Sequence, residues 1–202
     1  MTSEIEMVYF SMQTFLIGTF KETAQKLDSK RLFKELLESK QILDVIVNNK
    51  KAWSNHPAVR QWKDYPSVLF DYIHEIYDEC LARGIATKSN LFNQCRNLIE
   101  GKNWGNDFPD WINRADILSS HRSRLRAKGF IDALCVDIKR DLSVKKLDDW
   151  LKARYGKTKN QMRYDDGLKL QSDFPQVNFI TPNFYAQYGW KDDIRADYIW
   201  PV

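Results

Sequence analysis

A carboxylate set among cations is the first place in this chain where chemistry could be done. Glu38 stands one helical turn beyond Lys34 and two beyond Arg31, with Gln41 three residues further on. In helical winding these four side chains share a side, next to a stripe of Leu32, Leu36, Leu43 and Val47 at the spacing of a core-facing helix. Glu38 therefore sits at the border between a buried stripe and water, where one charged group can serve as an acid or base. The same spacing also fits an ordinary solvated face, with Glu38 and Lys34 in an i,i+4 pair worth a few tenths of a kcal/mol, about 0.3.

A second cluster follows in Trp53-Ser54-Asn55-His56-Pro57-Ala58-Val59-Arg60-Gln61-Trp62. Two indole plates beside Asn55, His56 and Arg60 suit base stacking next to a phosphate ligand, and equally suit a tryptophan-anchored core corner. The third is Ser119-Ser120 ahead of His121-Arg122-Ser123-Arg124-Leu125-Arg126-Ala127-Lys128, the most basic stretch of the chain. Serine caps and arginines in an opening helical turn would direct amides, dipole and guanidinium groups at phosphate. A solvated basic helix is the plainer alternative.

The elements that must position these groups read as helices. Asp28 or Ser29 caps the helix that carries Glu38, and Asn48 to Lys51 closes it. Pro57 suits the first turn of a short helix capped by Ser54 or Asn55. From Pro66 to Arg83, Leu69, Tyr72, Ile73, Ile76, Cys80 and Leu81 form an apolar stripe with Gly84 as the stop, leaving His74 on the surface. Residues 86 to 118, broken by Gly101, Gly105 and Pro109, read as a long connection anchored by Trp104 and Trp111. Residues 130 to 155 give a further amphipathic helix or pair stopped by Gly156. A polar, aromatic tail follows, including Asn183 to Trp190. The expectation is all-α: one compact helical domain over residues 12–202 after an extension at 1–11, with a helical insertion at 130–180 and an irregular C-terminal tail.

Composition narrows the function. With 202 residues, 43% apolar and 13% aromatic, the chain has ample material for a core. A net charge of +4 permits a polyanionic partner without requiring one. Cys80, Cys95 and Cys135 are odd in number and lack metal-ligand spacing, which argues for reduced thiols in the cytoplasm. No apolar run is long enough for a bilayer, so no membrane partner is expected. Glycine-rich phosphate loops, nucleophile elbows and zinc signatures are all missing. A metal site and a cofactor are therefore not expected. One carboxylate on a basic face, scattered arginines and several tryptophans suit contact with DNA or RNA.

Taken together, the segments resemble the pyrimidine-dimer DNA glycosylase family. Leu32 to Glu38 is similar to the family's first helix, with Glu38 at the place of its glutamate, and Ile76 to Gly84 is similar to the end of its second long helix. An uncharacterised bacterial branch is more similar still. It shares a Met-Gln-Thr-Phe-Leu start (Met12 to Leu16), Leu-Asp-x-Lys-Arg-Leu (Leu27 to Leu32) and Asn-His-Pro-Ala-Val-Arg-x-Trp (Asn55 to Trp62). Ser-His-Arg (Ser120 to Arg122) and a terminal Tyr-x-Trp-Pro (Tyr198 to Pro201) complete the set.

The resemblance implies a monomeric enzyme that binds double-stranded DNA and excises a damaged or modified pyrimidine by flipping a nucleotide. An N-terminal α-amine attacks the sugar, and Glu38 stabilises charge and moves protons toward strand cleavage by the lyase step. Removal of the initiator methionine would expose Thr2 as that amine. The implied DNA contacts are Arg31, Lys34, Asn55, His56, Arg60, His121, Arg122 and Arg124, with Trp53 and Trp62 stacking on bases. Two alternatives remain: a catalytically silent DNA-binding relative, and an enzyme of the same fold acting on hypermodified phage bases.

Overall fold

The computed structural model describes residues 13–85, 90–105, 107–179 and 195–201. Thr2, Met12 and the aromatic run Asn183 to Trp190 lie outside these. Among the described residues the chain is all-α, as its sequence leads one to expect. The helices are α1 (Phe20–Lys26), α2 (Ser29–Val47), α3 (Pro57–Arg60), α4 (Pro66–Ala82), α5 (Leu91–Ile99), α6 (Ala115–Asp141), α7 (Leu147–Tyr155) and α8 (Tyr164–Asp173). Short 3-10 turns at Asp110–Asn113 and Lys159–Gln161 complete the list. The chain divides into two compact units. The first holds Phe20–Pro109 together with the segment ending at Thr14, and the second holds Phe15–Thr19 with Asp110–Pro201.

In the first unit, α2 is the central element and packs on α3, α4 and α5, while α1 packs on α4. Asp28 caps α2 by accepting the Arg31 amide, so the first turn starts where a free N–H needs an acceptor. The apolar stripe behaves as its spacing predicts: Leu32, Leu36, Leu43 and Val47 are all buried. On α4, Leu69, Tyr72, Ile73, Ile76 and Cys80 are buried against them, but Leu81 turns outward. Gly84 takes φ +62°, the left-handed conformation that ends a helix at little cost. Arg83 fastens α1 by donating to the carbonyls of Leu27 and Gln25 at 2.6 and 2.8 Å. Residues 91–99, expected to belong to a long connection, form α5 instead, because Leu91, Phe92 and Cys95 fall on one face and bury. Trp111, which belongs to the second unit, is a buried anchor as expected.

In the second unit, α6 is a single helix of 27 residues. Ser119 and Ser120 lie inside it and cap nothing. The Ser120 hydroxyl donates to the Ile117 carbonyl one turn back. The phosphate-directed helix start expected at these serines is absent, since amides in mid-helix are already spent on backbone carbonyls. Below the basic stretch, Phe130, Ile131, Leu134 and Ile138 form a core with Leu151, Met162, Leu170 and Phe174. Gly167 lets α8 lie against α6, because a Cβ there would stand 2.6 Å from Ile131 Cδ1. Gly156 ends α7 at φ +66°. All three cysteines are free and buried, and burial pushes their thiols up, to about 11 for Cys80 and Cys95 and about 12 for Cys135. Such thiols are protonated and inert at neutral pH.

Candidate active site

The Glu38 carboxylate lies at a cleft of about 500 Å3 in the first unit. Helix α2 supplies Lys34, Leu37, Gln41, Asp44 and Val45 to its wall, and the loop before α3 supplies Lys50, Ala52 and Trp53. Glu38 is only 13% exposed, whereas Lys34 beside it is 53% exposed. One carboxylate oxygen faces Lys34 Nζ at 3.3 Å, and the other accepts the backbone N–H of Gln13 at 3.2 Å. The chain segment just after the family-like Met12 start is thus brought to the carboxylate. Arg31, expected beside Glu38, instead bonds the Asp28 carboxylate one turn back at the helix cap.

Burial works against a charged Asp44 at the far side of the cleft. Hydrogen bonds from Lys50 at 2.6 Å and Asn48 at 2.7 Å outweigh it and hold its pKa below the ordinary value. The cleft therefore carries two carboxylates, each beside a lysine, with Leu37 and Val45 also in its wall. Gln41, read from the sequence on the side of Glu38, does line the cleft, whereas Asp44, six residues beyond Glu38, went unread. Glu35 was also missed. It is buried on the core side of α2 and accepts the Tyr72 hydroxyl at 2.8 Å, a structural bond.

The two tryptophans part company. Trp53 is 43% exposed at the lip of the cleft, and its backbone sits at φ +70°, a conformation rare for a bulky residue. Strain of that kind persists where the surroundings hold it, often at binding sites. Trp62 is 1% exposed, stacks on Tyr72 at 5.9 Å, and donates its indole N–H to the Thr14 hydroxyl at 3.1 Å. Its expected role in base stacking fails, because no face of the ring reaches solvent.

His56 caps α3 by accepting the Ala58 amide at Nδ1, the task expected of Ser54 or Asn55. That bond leaves the ring proton on Nε2, and partial burial lowers its pKa, so the imidazole is neutral at pH 7. Asn55 and Arg60 are exposed on either side of it. Lys34, Trp53, Asn55 and Arg60 are thus the site residues of the first unit that stand open to a large ligand.

The expected contacts on α6 belong to a different structure. His121 is 1% exposed: Nδ1 accepts the Leu16 amide at 2.9 Å, and Nε2 lies 3.3 Å from the Ile199 carbonyl. Its ring stacks on Tyr198 at 4.0 Å. The Ile199 amide in turn donates to Ser120. The Ser-His-Arg and Tyr-x-Trp-Pro motifs therefore meet, within the second unit, as a clasp that binds Phe15–Leu16 to the C-terminal strand of chain. Arg122 donates to the Ile17 carbonyl, and Arg124 is buried with its guanidinium on the Met162 carbonyl. As DNA contacts, His121 and Arg124 are ruled out by burial, and a backbone carbonyl engages Arg122.

Burial drops the His121 pKa from 6.5 to about 4. In the unfolded chain the ring takes up a proton below about 6.5, while the native ring stays neutral down to about 4, so the unfolded state binds more protons between them. The stability this clasp supplies is complete above pH 6.5 and is lost progressively as pH falls toward 4. Replacing His121 by Gln should flatten the Tm–pH curve across that interval, and an unchanged curve would remove the ring from the acid transition.

No helix among the described residues is long and apolar enough to cross a membrane, and no group of three or more potential metal ligands occurs among them. Comparison with known proteins gives one result: residues 12–93 match the family described as pyrimidine dimer DNA glycosylase. No curated protein and no solved structure matches the chain. The matched segment contains the whole Glu38 cleft and ends within α5.

Proposed function

We propose, for a chain whose residues 12–93 match the pyrimidine dimer DNA glycosylase family, that the Glu38 cleft excises a pyrimidine from duplex DNA after flipping a nucleotide. The observation that carries this is the Glu38 carboxylate itself: poorly exposed, at the cleft, and met by the backbone nitrogen of Gln13. Flipping costs a few kcal/mol, roughly 2–4, and a damaged pair reduces it. Trp53 at the lip supplies an aromatic face to fill or brace the gap, and Lys34, Asn55 and Arg60 take the phosphate and sugar contacts.

In the chemical step an α-amine attacks the sugar C1′. The glycosidic bond breaks with its electron pair leaving on the base, the attached nitrogen loses a proton, and its lone pair then opens the C1′–O4′ bond, with a proton going to O4′, to give the ring-opened protonated imine. Glu38 stabilises the positive charge developing on the sugar and then removes a C2′ proton, and the 3′ phosphate departs by β-elimination. A peptide nitrogen is no nucleophile, so the amine must come from an open chain end. Thr2 after initiator removal is one source. The placement of Gln13 supports a second, because a chain opened between Met12 and Gln13 would present its amine to Glu38. In the intact chain the same nitrogen is an amide, which favours DNA binding without cleavage as the second reading.

Borohydride trapping on ultraviolet-irradiated, abasic and base-modified duplexes tests this with chains starting at Thr2 and at Gln13. A covalent adduct is expected, and digestion identifies the trapped peptide. A protein that binds these duplexes and traps on none leaves the silent binder as the function.

A further inference from the structure

The second unit carries a cleft of about 520 Å3 that nothing in the glycosylase chemistry uses. Lys145, Lys146 and Arg154 line it beside Trp150 and Phe174, with no carboxylate in its wall. All three cations are exposed. Of the acids near the cleft in sequence, Asp141 pairs with Arg140, Asp148 accepts the Lys159 amide at 2.7 Å and Asp173 accepts the Tyr155 hydroxyl at 2.9 Å, while Asp149 is exposed outside the cleft wall. The Arg154 guanidinium lies over both rings, 4.8 Å from the Trp150 centroid and 5.1 Å from that of Phe174. Trp150 is half-buried, so its ring is held by the core yet reaches the cleft. The lip is formed by Leu142 to Lys146, where Ser143 takes φ +52°.

We infer that this cleft is a second nucleic-acid site, one that takes an unpaired strand by stacking a base at Trp150 and Arg154 and setting its phosphates on Lys145 and Lys146. An aromatic plate capped by a guanidinium accepts any base through its π face, and adjacent lysines without acids accept the backbone. An acidic peptide would satisfy the lysines but leave the stacking plate without a planar partner. This goes beyond the Glu38 cleft, since binding here needs neither that carboxylate nor a free amine. A chain that cuts no DNA still tests it.

The test uses the full chain and a fluorescein-labelled oligothymidylate, with affinity measured across a salt series. Single strands lose about 0.7 in log–log slope per phosphate neutralised, so Lys145→Ala/Lys146→Ala should flatten the slope by roughly 1.4. Both lysines are exposed, and an unchanged thermal melt confirms that the variant folds. In parallel, a bromodeoxyuridine oligonucleotide irradiated on the wild-type protein should crosslink within residues 142–176, at Trp150 or Phe174. An unaltered slope in the folded double variant, or crosslinks confined to other segments, would overturn the assignment. So would a polyglutamate that binds as tightly as the oligonucleotide and loses as much in the variant, because it would make the cleft an acidic-chain site.

Discussion

Glu38→Gln should cut strand cleavage by about 100-fold or more, the scale of losing a positioned acid–base group, on any duplex that the wild-type protein cuts. The amide keeps the shape of the side chain and can still accept the Gln13 N–H, so the segment leading to Thr14 should stay in place. What disappears is the charge and the capacity to take a proton. Stability should barely move. The pair with the half-exposed Lys34 is worth at most about 1 kcal/mol, and solvent screening trims it further. DNA affinity should hold or rise, because one negative charge leaves a face that includes Lys34 and Lys50. Trapping should fall in parallel with cleavage if Glu38 assists imine formation, and should survive if it serves only the elimination. Cleavage at the wild-type rate by a folded variant removes Glu38 from the chemistry altogether.

Helix α2 was legible because every signal on it is local. Asp28 supplies the cap, the leucines repeat at helical spacing, and Glu38 and Lys34 are one turn apart. Its partner α4 was legible for the same reason, down to the glycine that stops it. Helix α5 was harder, because nine residues are short and the glycines and proline that follow drew the eye toward a loop. The basic stretch on α6 failed differently. Charge composition says that a segment is cationic but not which of its faces packs, and here His121, Ser123, Arg124 and Ala127 turn inward. A serine pair looks like a cap only if the helix begins there, and α6 had begun at Ala115.

The contacts that define the site are of a kind no local pattern carries. Gln13 to Glu38 spans 25 residues, and Leu16 to His121 spans 105. The family-like motifs at 120–122 and 198–201 were visible as strings, yet their physical meaning as one clasp depends on a ring stacked at 4.0 Å. The unusual density of aromatics around His56 was legible too. Which of the two tryptophans faced water was not, since Trp53 and Trp62 have the same chemistry and differ only in what packs on them.

Trp62→Ala should therefore destabilise the protein by about 3–5 kcal/mol, the range for emptying a large buried aromatic site. Its ring is fully enclosed and lies flat on Tyr72, whose hydroxyl holds the buried Glu35. Its indole N–H and the Gln61 amide both donate to Thr14, so the loss removes one of the hydrogen bonds that hold the residue next to Gln13. Cleavage should fall with stability, because the nitrogen facing Glu38 is held less firmly. Trp62→Phe keeps most of the volume and loses one hydrogen bond, and should cost less, about 1–2 kcal/mol. Trp53→Ala is the opposite case. Exposed and bound mainly by its tilted contact with His56, it should leave the melt almost unmoved while weakening DNA binding by about 1–3 kcal/mol. Urea unfolding beside duplex binding separates the two. A Trp62→Ala protein as stable as the wild type would contradict its place in the core, and a Trp53→Ala protein with full affinity would take the stacking role from the lip of the cleft.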